Sequence, residues 1–422
     1  MDVFRIQGGE PLMGEVRVGG SKNAALPLLV ASLLVEEGVS TLQNVPDLRD
    51  IRTALRVLEH LGVATTFDPD RGTVTLDATD LVSYEAPYDL VKQMRASFLV
   101  MGPLLGRMGK ARVSLPGGCA IGPRPVDQHR RAFLQMGASL TDSEGYIEGE
   151  ALPLKGATVY FDRPSHTGTE NVMMGAVLAE GTTTILNAAC DPEVADLAAA
   201  LNAAGARISG AGSARIVVEG VAALSPLDHR VMPDRLEAGT FMAACAAAGG
   251  AVSIREARID HLGMVAAKFR EMGARVTEHG DGIDFEMSGR PEAVNAVTYP
   301  YPGFPTDLQA ALIAVACVAD GTSVIRETVF EDRFVHLSEL ARLGAEIRAV
   351  GDEATVVGTE RLSGTTVMAS DIRAGAGLVV ACLAAEGESV VNRVYHVDRG
   401  YERLEERLTA LGATIAREDD KG

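Results

Sequence analysis

The sequence predicts an α/β protein of two domains, each made of three copies of one strand and helix unit, and three observations carry that prediction. First, a glycine between small or apolar residues recurs six times: Leu61-Gly62-Val63, Met136-Gly137-Ala138, Ala204-Gly205-Ala206, Met272-Gly273-Ala274, Leu343-Gly344-Ala345 and Leu411-Gly412-Ala413. These glycines stand 75, 68, 68, 71 and 68 residues apart, a regularity over nearly the whole chain that marks a repeated unit. Second, another glycine precedes each signature by 23 to 28 residues, at Gly38, Gly109, Gly181, Gly250, Gly321 and Gly387. Third, the sixth copy runs out one strand short at ATIAREDDKG, while the chain opens on an orphan strand, FRIQG, that is able to fill the gap.

One unit reads strand, buried helix, strand, amphipathic helix, strand pair. Its first helix is apolar all round after the opening turn, as in ALPLLVASLLVEEG, ALIAVACVADG and LVVACLAAEG, and such a helix belongs in the interior. The glycine that closes it opens a short β-branched strand such as TTTIL, TSVI or ESVV. The second helix is amphipathic, as in IRTALRVLEHLG, VADLAAALNAAG and YERLEERLTALG, and its signature glycine sits where a C-terminal cap is expected. A hairpin pattern such as ARISGAGSARIVVEG completes the unit. With FRIQG placed in the sixth unit, residues 22–233 form one three-unit domain and residues 1–21 plus 234–422 form the other, with crossings near Ser21 and Asp234. A cleft between two such halves is a usual ligand site.

Composition narrows the function. Of 422 residues, 47% are hydrophobic and 23% charged, the balance of a soluble globular protein. The longest apolar run, Ala24 to Val35, is interrupted by Pro27 and falls short of the roughly 20 residues of a membrane span. The opening MDVFRIQGG lacks the basic and apolar regions of a signal peptide, and five cysteines show no framework spacing, so a reducing, cytoplasmic setting is expected. A net charge of -18 disfavours nucleic acid and anionic membranes as partners. The eight histidines follow no metal-site spacing, so neither a metal nor another cofactor is expected. Nothing in the sequence specifies an oligomeric state.

The stretch Ser114 to His129, SLPGGCAIGPRPVDQH, places Cys119 after Gly117 and Gly118 in a segment broken by Pro116, Gly122, Pro123 and Pro125. Local chemistry makes this a loop. Arg124, five residues on, favours the thiolate of Cys119 and offers a planar fork to an anion. Cys245, Cys317 and Cys382 lie in alanine-rich helices and read as core. Cys190 lies in a loop beside Asp191 and Glu193, which oppose thiolate formation. Cys119 is therefore the expected reactive thiol.

The starts of the buried helices carry polar or charged groups: Lys22-Asn23, Arg95, Ser165 to Thr169, Asp234-Arg235, Asp307, and Asp371 with Arg373. Helix starts expose N–H groups and a partial positive charge, which suits phosphates and carboxylates. Ser165, Asp234 and Asp371 read as ordinary caps. Lys22, Arg235 and Arg373 oppose the helix dipole, and a bound anion would supply the reason for them. Arg333 and Arg399 are expected to open the second helices of their units, where a solvated arginine is the commoner reading of either one alone.

Several of these segments together form a family pattern. GGSKNAALP at 19–27, KQMRAS at 92–97, SLPGGCAIGPRPVDQH at 114–129, MPDRLEAGTF at 232–241, FPTDLQA at 304–310, TVFEDRF at 328–334 and HVDRGYERLE at 396–405 resemble the enolpyruvyl transferase family, in its UDP-N-acetylglucosamine 1-carboxyvinyltransferase branch. The resemblance runs in order through the full chain. It implies two inside-out α/β barrel domains of three repeated units each. It also implies transfer of the enolpyruvyl group of phosphoenolpyruvate to UDP-N-acetylglucosamine with release of phosphate, the first committed step of peptidoglycan synthesis.

Carried over by motif, Lys22, Arg124 and Arg399 would hold the phosphate of phosphoenolpyruvate, with Asn23 beside Lys22, while Arg333 and Arg373 would serve its carboxylate. Arg95, Arg124, Pro125, Val126, Asp127, Gln128, Arg163, Pro164, Ser165, His166, Asp307 and Val329 would line the sugar-nucleotide site. Cys119 would protonate the methylene carbon and is able to form a covalent adduct, and Asp307 would accept the hydroxyl proton. The PSHTGTEN stretch departs from versions of the motif with Lys at position 163 and Gly at position 167. The rival reading is 5-enolpyruvylshikimate-3-phosphate synthase, which shares fold and chemistry but not the PGGC loop with RPVDQH. A noncatalytic UDP-sugar-binding homologue would be expected to lack Cys119, Lys22 or Asp307.

Overall fold

In the computed structural model, which describes residues 2–92, 94–115 and 126–419, the chain divides into two compact units. One takes described residues 20–115 and 126–232, the other 2–19 and 233–419. Cys119, Arg124 and Pro125 of the expected site lie outside the described residues.

The helices with apolar sequence all round become the interior of each unit. Every residue of Lys22–Ala31 except Asn23 is buried, and this helix, Met101–Met108 and His166–Val177 form the inner layer of the first unit. Arg235–Ala248, Gln309–Ala316 and Ile372–Ala384 do the same in the second. Small residues let these helices approach closely: a Cβ on Gly377 would stand 2.8 Å from the Ala310 carbonyl carbon. The C-terminal ends of the second trio, through Ala248, Val318 and Ala384, line one cavity of about 560 Å³. These helices therefore run in the same direction, and their charged N-termini share the opposite end.

Six sheets lie outside the helices among the described residues, and one order recurs. In the third, Thr158–Tyr160 runs parallel to Thr182–Leu186, which pairs antiparallel with Arg215–Glu219, and Arg207–Ser209 takes the edge. The second helix of each unit covers its sheet with one face. In Arg49–Leu61, Ile51, Ala54, Leu55, Leu58 and Leu61 are buried while Arg52, Arg56 and Glu59 face water, the spacing of an amphipathic helix. All twelve repeat glycines have left-handed φ, from +68° at Gly109 to +112° at Gly250. Gly62, at φ +107°, returns its N–H to the Glu59 carbonyl at 3.0 Å, a conformation that a residue with a Cβ resists.

The orphan strand fills the missing place. Asp2–Gly8 lies antiparallel between Ala385–Asn392 and Thr414–Asp419, where the hairpin strand of the sixth unit belongs. The crossings near Ser21 and Asp234 put two leading strands in the opposite unit, and the structure gives their partners. Leu12–Arg17, which precedes the Lys22 helix, pairs parallel with Gly250–Arg255. Asp228–Arg230, which precedes the Arg235 helix, pairs parallel with Val39–Gln43. Chain continuity thus crosses between the units at Gly19–Gly20 and Met232–Pro233. Among the described residues no helix is long and apolar enough to cross a membrane.

Phe4 of the first strand is 0% exposed, and the Arg417 guanidinium lies 4.9 Å from its ring centre. Phe4→Ala should lower the unfolding free energy by about 3–5 kcal/mol in urea titrations. A loss below about 1 kcal/mol would mean that the strand adds little to its sheet.

Candidate active site

Asp307 sits in the 3-10 turn Thr306–Leu308 that leads into Gln309–Ala316. Its two oxygens are held by two arginines: Arg333 Nη2 donates to Oδ1 at 2.9 Å and Arg373 Nε donates to Oδ2 at 3.1 Å. Both arginines are buried, and Nη1 of each meets no hydrogen-bond partner among the described residues. A buried guanidinium N–H without an acceptor is costly, so this pair has donors to offer to an incoming anion. Burial opposes the charge of Arg373, but neighbouring Tyr401, Asp307 and Asp234 outweigh it and hold the group above its ordinary pKa. Tyr401 in turn shares a 2.9 Å hydrogen bond with Thr240, and burial pushes its phenol up.

The helix caps are those expected. Asp371 accepts from the N–H groups of Arg373 and Ala374, Asp234 from Leu236 and Glu237, and Ser165 from Gly168. The three helix-start cations each have a protein partner as well. Lys22 Nζ lies 3.3 Å from Asp50 Oδ2, both groups buried; Arg235 stacks 5.3 Å from the Tyr301 ring; Arg373 binds Asp307. Opposition to the helix dipole alone therefore does not demand a ligand for Lys22 or Arg235. The positions of Arg333 and Arg399 also differ from the expectation. Arg333 lies in the turn before helix Leu337–Arg342, and Arg399 closes the 3-10 helix Val394–Arg399 ahead of Leu404–Ala410. Val329 is half-buried in the loop between them and strand Thr322–Arg326.

The first unit holds the remaining described candidates. Lys22 and Asn23 open Lys22–Ala31, Arg95 opens the 3-10 helix Arg95–Val100, and Val126, Asp127 and Gln128 form the start of Asp127–Gln135. Gln128 Oε1 accepts from the backbone N–H of Asp162 at 2.8 Å and of Arg163 at 3.4 Å, which joins that start to the Arg163-Pro164-Ser165-His166 segment. Arg163 is exposed and Pro164 half-buried. His166 Nε2 lies 2.9 Å from Glu170 and its Nδ1 3.7 Å from Asp191. Burial penalises the imidazolium, but these carboxylates dominate and raise its pKa well above the ordinary value; burial also raises that of Glu170.

Among the described residues, His166, Asp191 and Glu193 are the group whose ligand atoms come within 4.8 Å of one another. Both ring nitrogens of His166 already face carboxylates, so charge pairing accounts for the cluster without a metal ion. Cys245, Cys317 and Cys382 are pushed up to about 12 by burial, and burial with Asp191 raises Cys190, so none of these thiols is primed for reaction.

Asn171 is a hub that the sequence did not single out. Its Oδ1 accepts from Gly102 N–H at 2.7 Å, and its Nδ2 donates to the Phe98 carbonyl at 3.1 Å and to His129 Nδ1 at 3.0 Å. It thereby ties together the elements that carry Arg95, Gln128 and His166.

Residues 6–408 match the family described as EPSP synthase (3-phosphoshikimate 1-carboxyvinyltransferase), which sets the class as carboxyvinyltransferase. The chain is 54% identical over 419 residues to UDP-N-acetylglucosamine 1-carboxyvinyltransferase of Sorangium cellulosum, covering 99% of both chains. It is 52% identical over 423 residues to the protein of the same name from Myxococcus xanthus, covering 99% of this chain and 100% of that one. Among solved structures, the enolpyruvyl transferase NikO from Streptomyces tendae superposes with a TM-score of 0.88 at 25% identity, covering 99% of this chain and 98% of that one. EPSP synthase from Acinetobacter baumannii superposes at 0.74 with 18% identity, covering 99% and 100%, a likeness of fold. The chain belongs to the UDP-N-acetylglucosamine 1-carboxyvinyltransferase family, and its fold is the two-domain inside-out α/β barrel of the enolpyruvyl transferases.

The interior of the site gives a pH dependence. Burial pulls the pKa of His129 down to about 4 from 6.5, so between those values the unfolded chain binds the additional proton. This contribution to stability therefore rises with pH, by about 3 kcal/mol between pH 4 and 6.5. His129→Gln keeps an oxygen for Asn171 but does not titrate. The wild type should gain about 3 kcal/mol on this variant over that interval in urea titrations, and a difference that does not change with pH would contradict the assignment.

Proposed function

We propose that this chain transfers the enolpyruvyl group of phosphoenolpyruvate to the 3-hydroxyl of UDP-N-acetylglucosamine and releases phosphate. The observation that carries the reading is the pair Arg333 and Arg373, held on one carboxylate, each with a buried Nη1 that meets no hydrogen-bond partner among the described residues. That arrangement suits a small substrate carboxylate. The names of the relatives that are 54% and 52% identical support the same acceptor.

In this proposal Asp307 takes the proton of the attacking hydroxyl as oxygen bonds to the central carbon of phosphoenolpyruvate, and Cys119 delivers a proton to the terminal carbon. One proton of the methyl group so formed then returns to the Cys119 thiolate as the bond from the central carbon to the phosphate oxygen breaks, which restores the double bond, and Lys22, Arg124 and Arg399, with Asn23 beside Lys22, stabilise the leaving phosphate. Arg95, Arg124 to Gln128, Arg163 to His166, Asp307 and Val329 hold the sugar nucleotide. The protein works in the cytoplasm at the first committed step of peptidoglycan synthesis, and through it serves cell shape and division. It needs no metal or other cofactor. Phosphate release from phosphoenolpyruvate, run with UDP-N-acetylglucosamine and with shikimate 3-phosphate in parallel, tests the reading. Release with the nucleotide alone is expected, and release with shikimate 3-phosphate alone would overturn it.

Cys119→Asp should remain active, because a carboxylic acid replaces the proton donor, yet resist an epoxide inhibitor of the fosfomycin type, because the nucleophile is gone. Mass spectrometry of the inhibited protein checks this, and alkylation of the variant would count against the role of Cys119. Lys22→Ala should lower kcat by about 100-fold or more through lost phosphate stabilisation. A kcat within about threefold of wild type would mean that the anion site lies elsewhere.

A further inference from the structure

We infer that Glu327 is a positioning residue for the transfer: its carboxylate fixes the turn that precedes Asp307 and the turn that carries Val329 in one register. The inference rests on the function proposed above.

Glu327 directly follows strand Thr322–Arg326, in which Ser323 and Ile325 point inward and residues 322, 324 and 326 do not. By that alternation position 327 also points inward, where an apolar residue is expected, and Glu327 is only 3% exposed. A carboxylate in such a place is tolerated when its oxygens are hydrogen-bonded. Both are. Oε1 accepts from the backbone N–H of Val329 at 2.8 Å and of Phe330 at 3.0 Å, folding the chain back on itself just after the strand. Oε2 accepts from the Thr306 hydroxyl at 2.8 Å, across 21 residues of sequence.

Thr306 is the residue before Asp307, and Arg333, six residues beyond Glu327, donates to Asp307 itself. The loop from 327 to 333 therefore grips the Asp307 turn at two points, with Glu327 on the backbone side and Arg333 on the carboxylate side. Further bonds seat the same loop: Thr328 N–H donates to Thr298 Oγ1 at 2.9 Å, and Glu327 N–H donates to the Asp352 carbonyl at 2.8 Å. Removing the carboxylate leaves two N–H groups and one hydroxyl without their acceptor and frees both turns. Misplacing a general base by about 1 Å is enough to cost on the order of 100-fold in rate.

Steady-state kinetics of Glu327→Ala, Glu327→Gln and Thr306→Val, each with phosphoenolpyruvate and UDP-N-acetylglucosamine, test this. Glu327→Ala should lose about 100-fold in kcat/KM, through a lower kcat and a higher KM for the nucleotide. Thr306→Val frees only the Asp307 turn, so kcat should fall about 10-fold while KM for the nucleotide stays within about twofold. Glu327→Gln should stay within about fivefold of wild type, because its amide oxygen serves both N–H groups and its NH₂ donates to Thr306. Wild-type kinetics in Glu327→Ala, or equal impairment of the Gln and Ala variants, would overturn the inference. Should Glu327→Ala fail to fold, unchanged kcat in Thr306→Val would overturn it alone. Absence of wild-type turnover would sink the proposed function instead, and this inference with it.

Discussion

The structure of the site depends on one ion cluster whose donors are not all used: two buried guanidinium groups share the carboxylate of Asp307. Each of its oxygens serves one guanidinium, and Nη1 of both arginines meets no hydrogen-bond partner among the described residues, so two donor nitrogens remain in the interior. Such an arrangement persists only where the surrounding fold over-determines it. Here it does. Arg373 is fixed by the Asp371 cap beneath it, Arg333 by a loop seated on Thr298 and Asp352, and Asp307 by a turn that follows Pro305. A substrate bearing its own carboxylate completes the hydrogen bonding that the protein leaves unmade.

The inside-out architecture is what delivers these groups to one end of a unit. Helices apolar all round must be interior, and three of them running the same way present three N-termini together. The amphipathic helices then cover the sheets outside, and the closing glycines, in left-handed conformation, turn the chain back into each strand. Strand exchange between the two units adds a second constraint: the strand before the Lys22 helix completes one sheet, while the strand before the Arg235 helix completes another. Neither unit is one continuous stretch of chain, and burial of Phe4 and Ile6 in the sixth sheet depends on residues nearly 400 positions away.

Much of this was legible because it is local. The twelve glycines, the apolar helices, the FRIQG strand and the caps at Ser165, Asp234 and Asp371 each follow from a few neighbouring residues and their spacing. What was not legible depends on side chains that meet across long separations. Asp50 as partner of Lys22, Asn171 as a hub of three elements, and Glu327 as a clamp on Thr306 carry no signal in periodicity, since a buried acid or amide looks like any other polar residue until its partners are in place. The crossings near Ser21 and Asp234 already put each leading strand in the other unit, but not its sheet partner, because a period counts copies and does not say which strand a given strand joins. Arg333 and Arg399 precede the second helices because each unit inserts a turn or a 3-10 segment where an uninterrupted helix was expected. Cys119, Arg124 and Pro125 lie outside the described residues, so their part of the site rests on sequence.

The most direct measurement of the central claim is calorimetric titration of phosphoenolpyruvate, with UDP-N-acetylglucosamine present, into wild type and Arg373→Met. The substitution keeps an apolar stem of similar reach and removes the charge and the orphan N–H donors. The account predicts that affinity for phosphoenolpyruvate falls by about 100-fold, the worth of a charge-assisted pair in a buried site. Equal affinity in the two proteins would show that the guanidinium pair on Asp307 does not receive the substrate.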